Sequence, residues 1–63
     1  MKLVKVTPNQ GRGTIPIYIN SLEILRVDFG DDETKDGCKL TLTNGGVFDL
    51  FDKAIDIFKA VNS

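Results

Sequence analysis

The stretch CKLTLTNGGVFDL, running from Cys38 to Leu50, alternates apolar and polar residues, breaks at Asn44-Gly45-Gly46, and then alternates again. A period of two is what a strand with one buried face requires, because successive side chains leave the backbone on opposite sides. The alternation places Cys38, Leu40 and Leu42 inward and Lys39, Thr41 and Thr43 outward. Asn-Gly between two such runs marks a hairpin, since both central positions of a type I′ turn need positive φ. Gly46 is then left for a bulge. A hairpin of this kind is expected to be scaffold: its turn fixes the register and delivers the chain into the segment that follows.

Toward the N-terminus the same period recurs. KLVKV (Lys2–Val6) reads as a strand with Val4 and Val6 on one face, and TPNQGRG (Thr7–Gly13) supplies turn residues. TIPIYIN (Thr14–Asn20) sets Ile15, Ile17 and Ile19 on one face and Pro16 and Tyr18 on the other. Pro16 has no N–H for a ladder, so this strand belongs at an edge or carries a bulge. Ser21 marks a tight connection. LEILRVDF (Leu22–Phe29) continues the alternation through Leu25, Val27 and Phe29, with Arg26 and Asp28 facing the other way. GDDETKDG (Gly30–Gly37) is bounded by glycines and rich in acids, which predicts a solvated hairpin loop.

Toward the C-terminus the period changes from two to about 3.6. Leu50, Ala54, Ile57, Phe58 and Val61 share one helical face, Ile55 lies beside them, and Lys53, Asp56 and Lys59 point away. A helix over about residues 51–61 is expected, with Asp49 or Asp52 as its N-cap. So short a helix does not persist alone and must pack on the sheet or on a neighbouring chain. The fold class is therefore α+β and mostly β: a small bent antiparallel sheet or partly open barrel of about five strands, followed by one C-terminal amphipathic helix.

The 63 residues form one domain, 1–63, near the lower size limit for an unstapled core, so self-association is an expected source of stability. The one cysteine, Cys38, cannot form an internal disulfide. No secretory signal opens the sequence and no apolar run is long enough to span a bilayer, which points to a cytoplasmic protein that does not insert into membranes. Charge is unevenly distributed along the chain. Residues 1–26 carry Lys2, Lys5, Arg12 and Arg26 against Glu23, a balance of +3, whereas residues 27–63 set four lysines against eight acids, a balance of −4. A complementary surface for self-assembly is one consequence, and an evenly mixed folded surface is the other.

Candidate chemistry is sparse. Histidine and tryptophan are absent, which removes the usual neutral-pH general base and the commonest metal ligand. No catalytic residue, metal site or cofactor is assigned, and an enzyme is not expected. Asp28, Asp31, Asp32, Glu33 and Asp36 supply oxygen ligands of the kind calcium takes, but their spacing departs from an EF-hand. Asp28-Phe29-Gly30 matches a kinase tripeptide in a chain with no room for a nucleotide-binding fold. Gly11-Arg12-Gly13 offers backbone amides to an anion, without a following helix or P-loop lysine. Cys38 lies on an apolar strand face with no histidine to activate it, which predicts a buried, inert thiol. Tyr18 with Lys2, Lys5, Arg12 and Arg26 would make a modest nucleic-acid patch if the first three strands were adjacent. Of the four phenylalanines, core filling is expected for at least three, with Phe48 or Phe51 left exposed to anchor a partner.

Taken together, VKVTPNQGRGTIPIYIN, LEILRVDF and CKLTLTNGGVFDL resemble the small flagellar FlbD/SwrD family. The matching residues are Val4, Val6 and Thr7; Ile17, Tyr18, Ile19 and Asn20; Ile24 and Val27; and Leu40 to Gly45. The chain departs from that pattern in a longer first turn, an acidic loop expanded by Asp31 to Gly37, and a helix that begins LFDKAIDIF. The resemblance implies a non-enzymatic accessory protein that acts through protein contacts and maps no ligand onto particular residues.

Three functional expectations follow. The first is a small accessory or regulatory interaction module that binds itself and another protein, using an exposed sheet edge or the face the helix leaves open. The second is an oligomeric binder of a small anion or nucleotide, lined by Lys5, Arg12 and Arg26 from neighbouring chains. The third is a nucleic-acid-binding small barrel. The candidate partner or ligand contact residues drawn from these expectations are Lys5, Arg12, Tyr18, Arg26, Phe48 and Phe51.

Overall fold

A computed structural model describes residues 2–9 and 14–63. Its elements are β1 (Leu3–Val6), β2 (Ile17–Asn20), a single 3-10 turn (Ser21–Glu23), β3 (Ile24–Asp28), β4 (Cys38–Leu42), β5 (Val47–Leu50) and α1 (Ala54–Asn62). All the pairings are antiparallel, in a two-stranded sheet β1-β2 and a three-stranded sheet β3-β4-β5. The two sheets meet where the chain beyond β1 runs past the end of β5. Pro8 bridges Leu50, Asn9 N–H donates to the Asp49 carbonyl at 2.6 Å, and Phe51 N–H donates to the Thr7 carbonyl at 2.9 Å. The resulting path is β2-β1-β5-β4-β3, and among the described residues it does not close.

Val4, Val6, Ile19, Leu40, Leu42, Leu50 and Ile57 form one buried cluster, ringed by Ile17, Ile24, Val27, Cys38, Phe48, Ala60 and Val61. The period-two reading of β1 and β4 holds, with Val4, Val6, Leu40 and Leu42 all buried. Ile17 and Ile19 face the core as well, but Ile15 precedes β2 and is exposed. The tight connection expected at Ser21 is the 3-10 turn, started by the Asn20 side chain accepting from Leu22 N–H at 3.1 Å.

Three sequence expectations are corrected. The hairpin at Asn44-Gly45 is not a type I′ turn, because only Gly45 has positive φ (93°) and Asn44 does not. Leu42 N–H donates to the Gly46 carbonyl at 2.8 Å and Gly45 N–H to the Leu42 carbonyl at 3.0 Å, enclosing a three-residue loop that ends in a left-handed glycine. The register explains the choice. A two-residue loop would set Leu40 opposite Asp49, whereas the observed pairing sets Leu40 opposite Phe48 and keeps the apolar positions on one face.

The second correction concerns β3. Its register against β4 shifts between Ile24 and Arg26, so Leu25 is an extra residue in a bulge. Ile24 and Val27, three apart, thereby both reach the core, while Leu25 turns outward with Arg26. The expected face of Leu25, Val27 and Phe29 is broken.

The third correction concerns the helix, which starts at Ala54, later than about residue 51, and Leu50 belongs to β5. Neither Asp49 nor Asp52 caps it. Lys53 occupies the N-cap position without a side-chain bond. Asp52 Oδ1 instead accepts from Thr7 N–H at 2.6 Å, and Ile55 N–H is satisfied by the Glu33 carbonyl at 3.1 Å. The acidic loop is thus a docking element for the helix start as well as a solvated hairpin end. Gly37, at φ 95°, turns its N–H onto the Phe51 and Asp52 carbonyls at 3.2 and 3.1 Å. At the other end, Lys2 Nζ donates to the Val61 carbonyl at 2.9 Å and to Ser63, where a cation complements the helix dipole. No helix among the described residues is long and apolar enough to cross a membrane.

Candidate functional site

Because the path ends in β2 and β3, each of these strands pairs on one side only among the described residues. The ladder alternation shows which groups of β3 face outward. Leu42 N–H bonds Gly46, so the even residues of β4 bond toward β5, and Thr43 N–H bonds the Glu23 carbonyl on the β3 side. Lys39 and Thr41 therefore bond Asp28 and Arg26, which leaves the N–H and C=O of Val27 directed at the open edge. Beside that edge stand Leu25, 62% exposed, and Leu22 in the 3-10 turn, 82% exposed. Arg26 Nε donates to Asp28 Oδ2 at 2.9 Å on the outer face, with both side chains solvent-accessible.

An open groove of about 490 Å³ lies between the ends of β3 and β4, lined by Arg26, Asp28, Phe29, Cys38 and Lys39 together with Gly30 and Gly37. Phe29 leans on Phe58 of α1, edge to face with ring centres 5.6 Å apart. Cys38 is half-buried rather than fully buried, and its thiol is pushed up from the ordinary range, first by burial and second by the Asp52 carboxylate. The structure therefore holds it in the unreactive, protonated form.

In the acidic loop, Thr34 donates its hydroxyl (2.6 Å) and its N–H (2.9 Å) to Asp32 Oδ1, which draws the Asp32 carboxyl below the ordinary range. Asp31 reaches Lys35 at 3.7 Å. Among the described residues no three His, Cys, Asp or Glu side chains gather around a common point for a metal ion.

No known family model, curated protein or solved structure matches this chain.

The sequence-derived contact residues scatter. Lys5 and Tyr18 stand directly opposite one another on the outer face of β1-β2, and Tyr18 is 65% exposed. Arg26 lies in the other sheet and is engaged by Asp28, while the Lys2 ammonium is occupied at the helix C-terminus. β1 and β2 pair, but β3 lies at the other end of the strand path, so the basic patch proposed for nucleic acid is not assembled by the residues described. Arg12, and with it the Gly11–Gly13 turn, lies outside the described residues. Phe48 packs against the core, whereas Phe51 is 49% exposed. Phe29 is exposed as well and half-buried Phe58 packs on it, so one of the four phenylalanines, Phe48, packs against the buried cluster rather than three. Leu22 and Leu25 were missed as surface residues. The available signal was the three-residue spacing of Ile24 and Val27, which a strand can bury together only by adding a bulge between them.

Proposed function

We propose that the protein is a small non-enzymatic interaction module, acting in the cytoplasm, that associates with itself and a further protein by adding strands at its open sheet edges. One observation carries this reading: the strand path ends in two edges, β2 and β3, that lack a partner among the described residues and are flanked by the exposed apolar side chains Tyr18, Leu22 and Leu25. Unpaired edges template strand addition, and natural monomers normally blunt them. The likeness of the strand motifs to the flagellar FlbD/SwrD family supports the same kind of role, an accessory protein working through contacts rather than turnover.

Native mass spectrometry of gently purified protein, compared with its denatured mass, tests the reading. The expected result is an assembly of whole chains with no excess mass. An assembly carrying excess mass would shift the case to the anion-binding alternative. A bare monomer across a concentration series would remove self-association from the reading.

A further inference from the structure

Building on that reading, we infer that the self-associating edge is β3, and that two copies join antiparallel about a two-fold axis through Val27. The segment Arg26-Val27-Asp28 is complementary to itself when reversed. In a register centred on Val27, Arg26 faces Asp28 of the partner subunit, and Asp28 faces Arg26 of the partner subunit.

The ladder geometry agrees independently with this register. Val27 points its backbone N–H and C=O at the open edge, so the two Val27 residues can exchange both bonds. Arg26 and Asp28 then fall at non-hydrogen-bonded positions, where facing side chains come closest. The pleat also puts both charges on the outer face and half-buried Val27 on the inner one, so the inner layer continues from copy to copy. Neighbouring registers of the same parity are rejected by charge. Centring on Arg26 opposes two guanidinium groups, and centring on Asp28 opposes two carboxylates; like charges directly opposite repel. The contact is isologous and closes as a dimer, with a sheet running β5-β4-β3 into β3-β4-β5 of the second copy.

The experiment is sedimentation equilibrium on the full chain, its Arg26→Asp and Asp28→Arg variants, and their equimolar mixture, with far-UV circular dichroism to confirm folding. Each reversal alone turns two attractive pairs into two repulsive ones and is expected to weaken dimerisation about 10- to 100-fold. Mixing the two variants restores every opposite-charge pair and is expected to recover the dimer. An assembly indifferent to both reversals, or a mixture that stays monomeric, overturns the β3 register and leaves self-association through another surface standing. A wild-type chain that is monomeric throughout overturns this inference and the self-association on which it rests.

Discussion

β3 and β4 lie side by side in one sheet and are written in the same alternating style, yet they obey the alternation differently. β4 has neighbours on both sides, β3 and β5, and its Leu40 and Leu42 are buried as the period demands. Among the described residues β3 has one neighbour, carries a bulge at Leu25, and sends two consecutive residues, Leu25 and Arg26, to the outer face. An inner strand cannot slip without disturbing two ladders at once. An edge strand disturbs one, so it can absorb an extra residue and re-aim side chains toward a partner.

The widest contrast is in the cost of truncation. Leu40→Ala is expected to destabilise by about 2 to 5 kcal/mol, whereas Leu25→Ala should stay within about 0.5 kcal/mol in the monomer. Urea melts of both variants measure this, and similar costs would break the distinction between the strands. Next comes the seam that joins the two sheets. Asp52→Ala removes the acceptor of Thr7 N–H and should cost about 1 to 3 kcal/mol, with Asp52→Asn, which keeps an amide oxygen there, clearly milder.

A smaller effect tests the β4–β5 register. Gly45→Ala places a side chain at φ 93° and should cost about 1 to 2 kcal/mol through backbone strain alone, since no atom lies near the added Cβ. Smallest is the titration of Cys38, at the start of β4. Its folded pKa is raised, so the associated stability is intact below the ordinary thiol value of 9.0 and is lost as pH rises through the folded value. The urea midpoint of the wild type should therefore fall more than that of Cys38→Ala between about pH 8 and about pH 10.

Much of the fold was legible before any coordinates. The five strands, the hairpin centre and the helix follow from periodicity, because burying one face of a strand or a helix imposes a period that the residues must carry. Even the loop length at Asn44-Gly45 was implicit, since Leu40, Leu42, Phe48 and Leu50 share one parity and a two-residue loop would have opposed Leu40 and Asp49. The site was less legible. Arg26 was named for its charge, but its pairing with Asp28 and its place beside an open edge depend on which strand ends the sheet.

Local pattern was enough for the elements because each depends on residues a few positions apart. Strand order, the Thr7–Asp52 bond across the seam and the capping of α1 by the Glu33 carbonyl depend on residues far apart in sequence. Those partners are chosen when backbone groups buried by packing must each find a donor or acceptor. Asp52 was a plausible N-cap by spacing alone. It went to Thr7 because the chain beyond β1 crosses there, and the helix took its missing acceptor from a loop that no periodicity could have brought near.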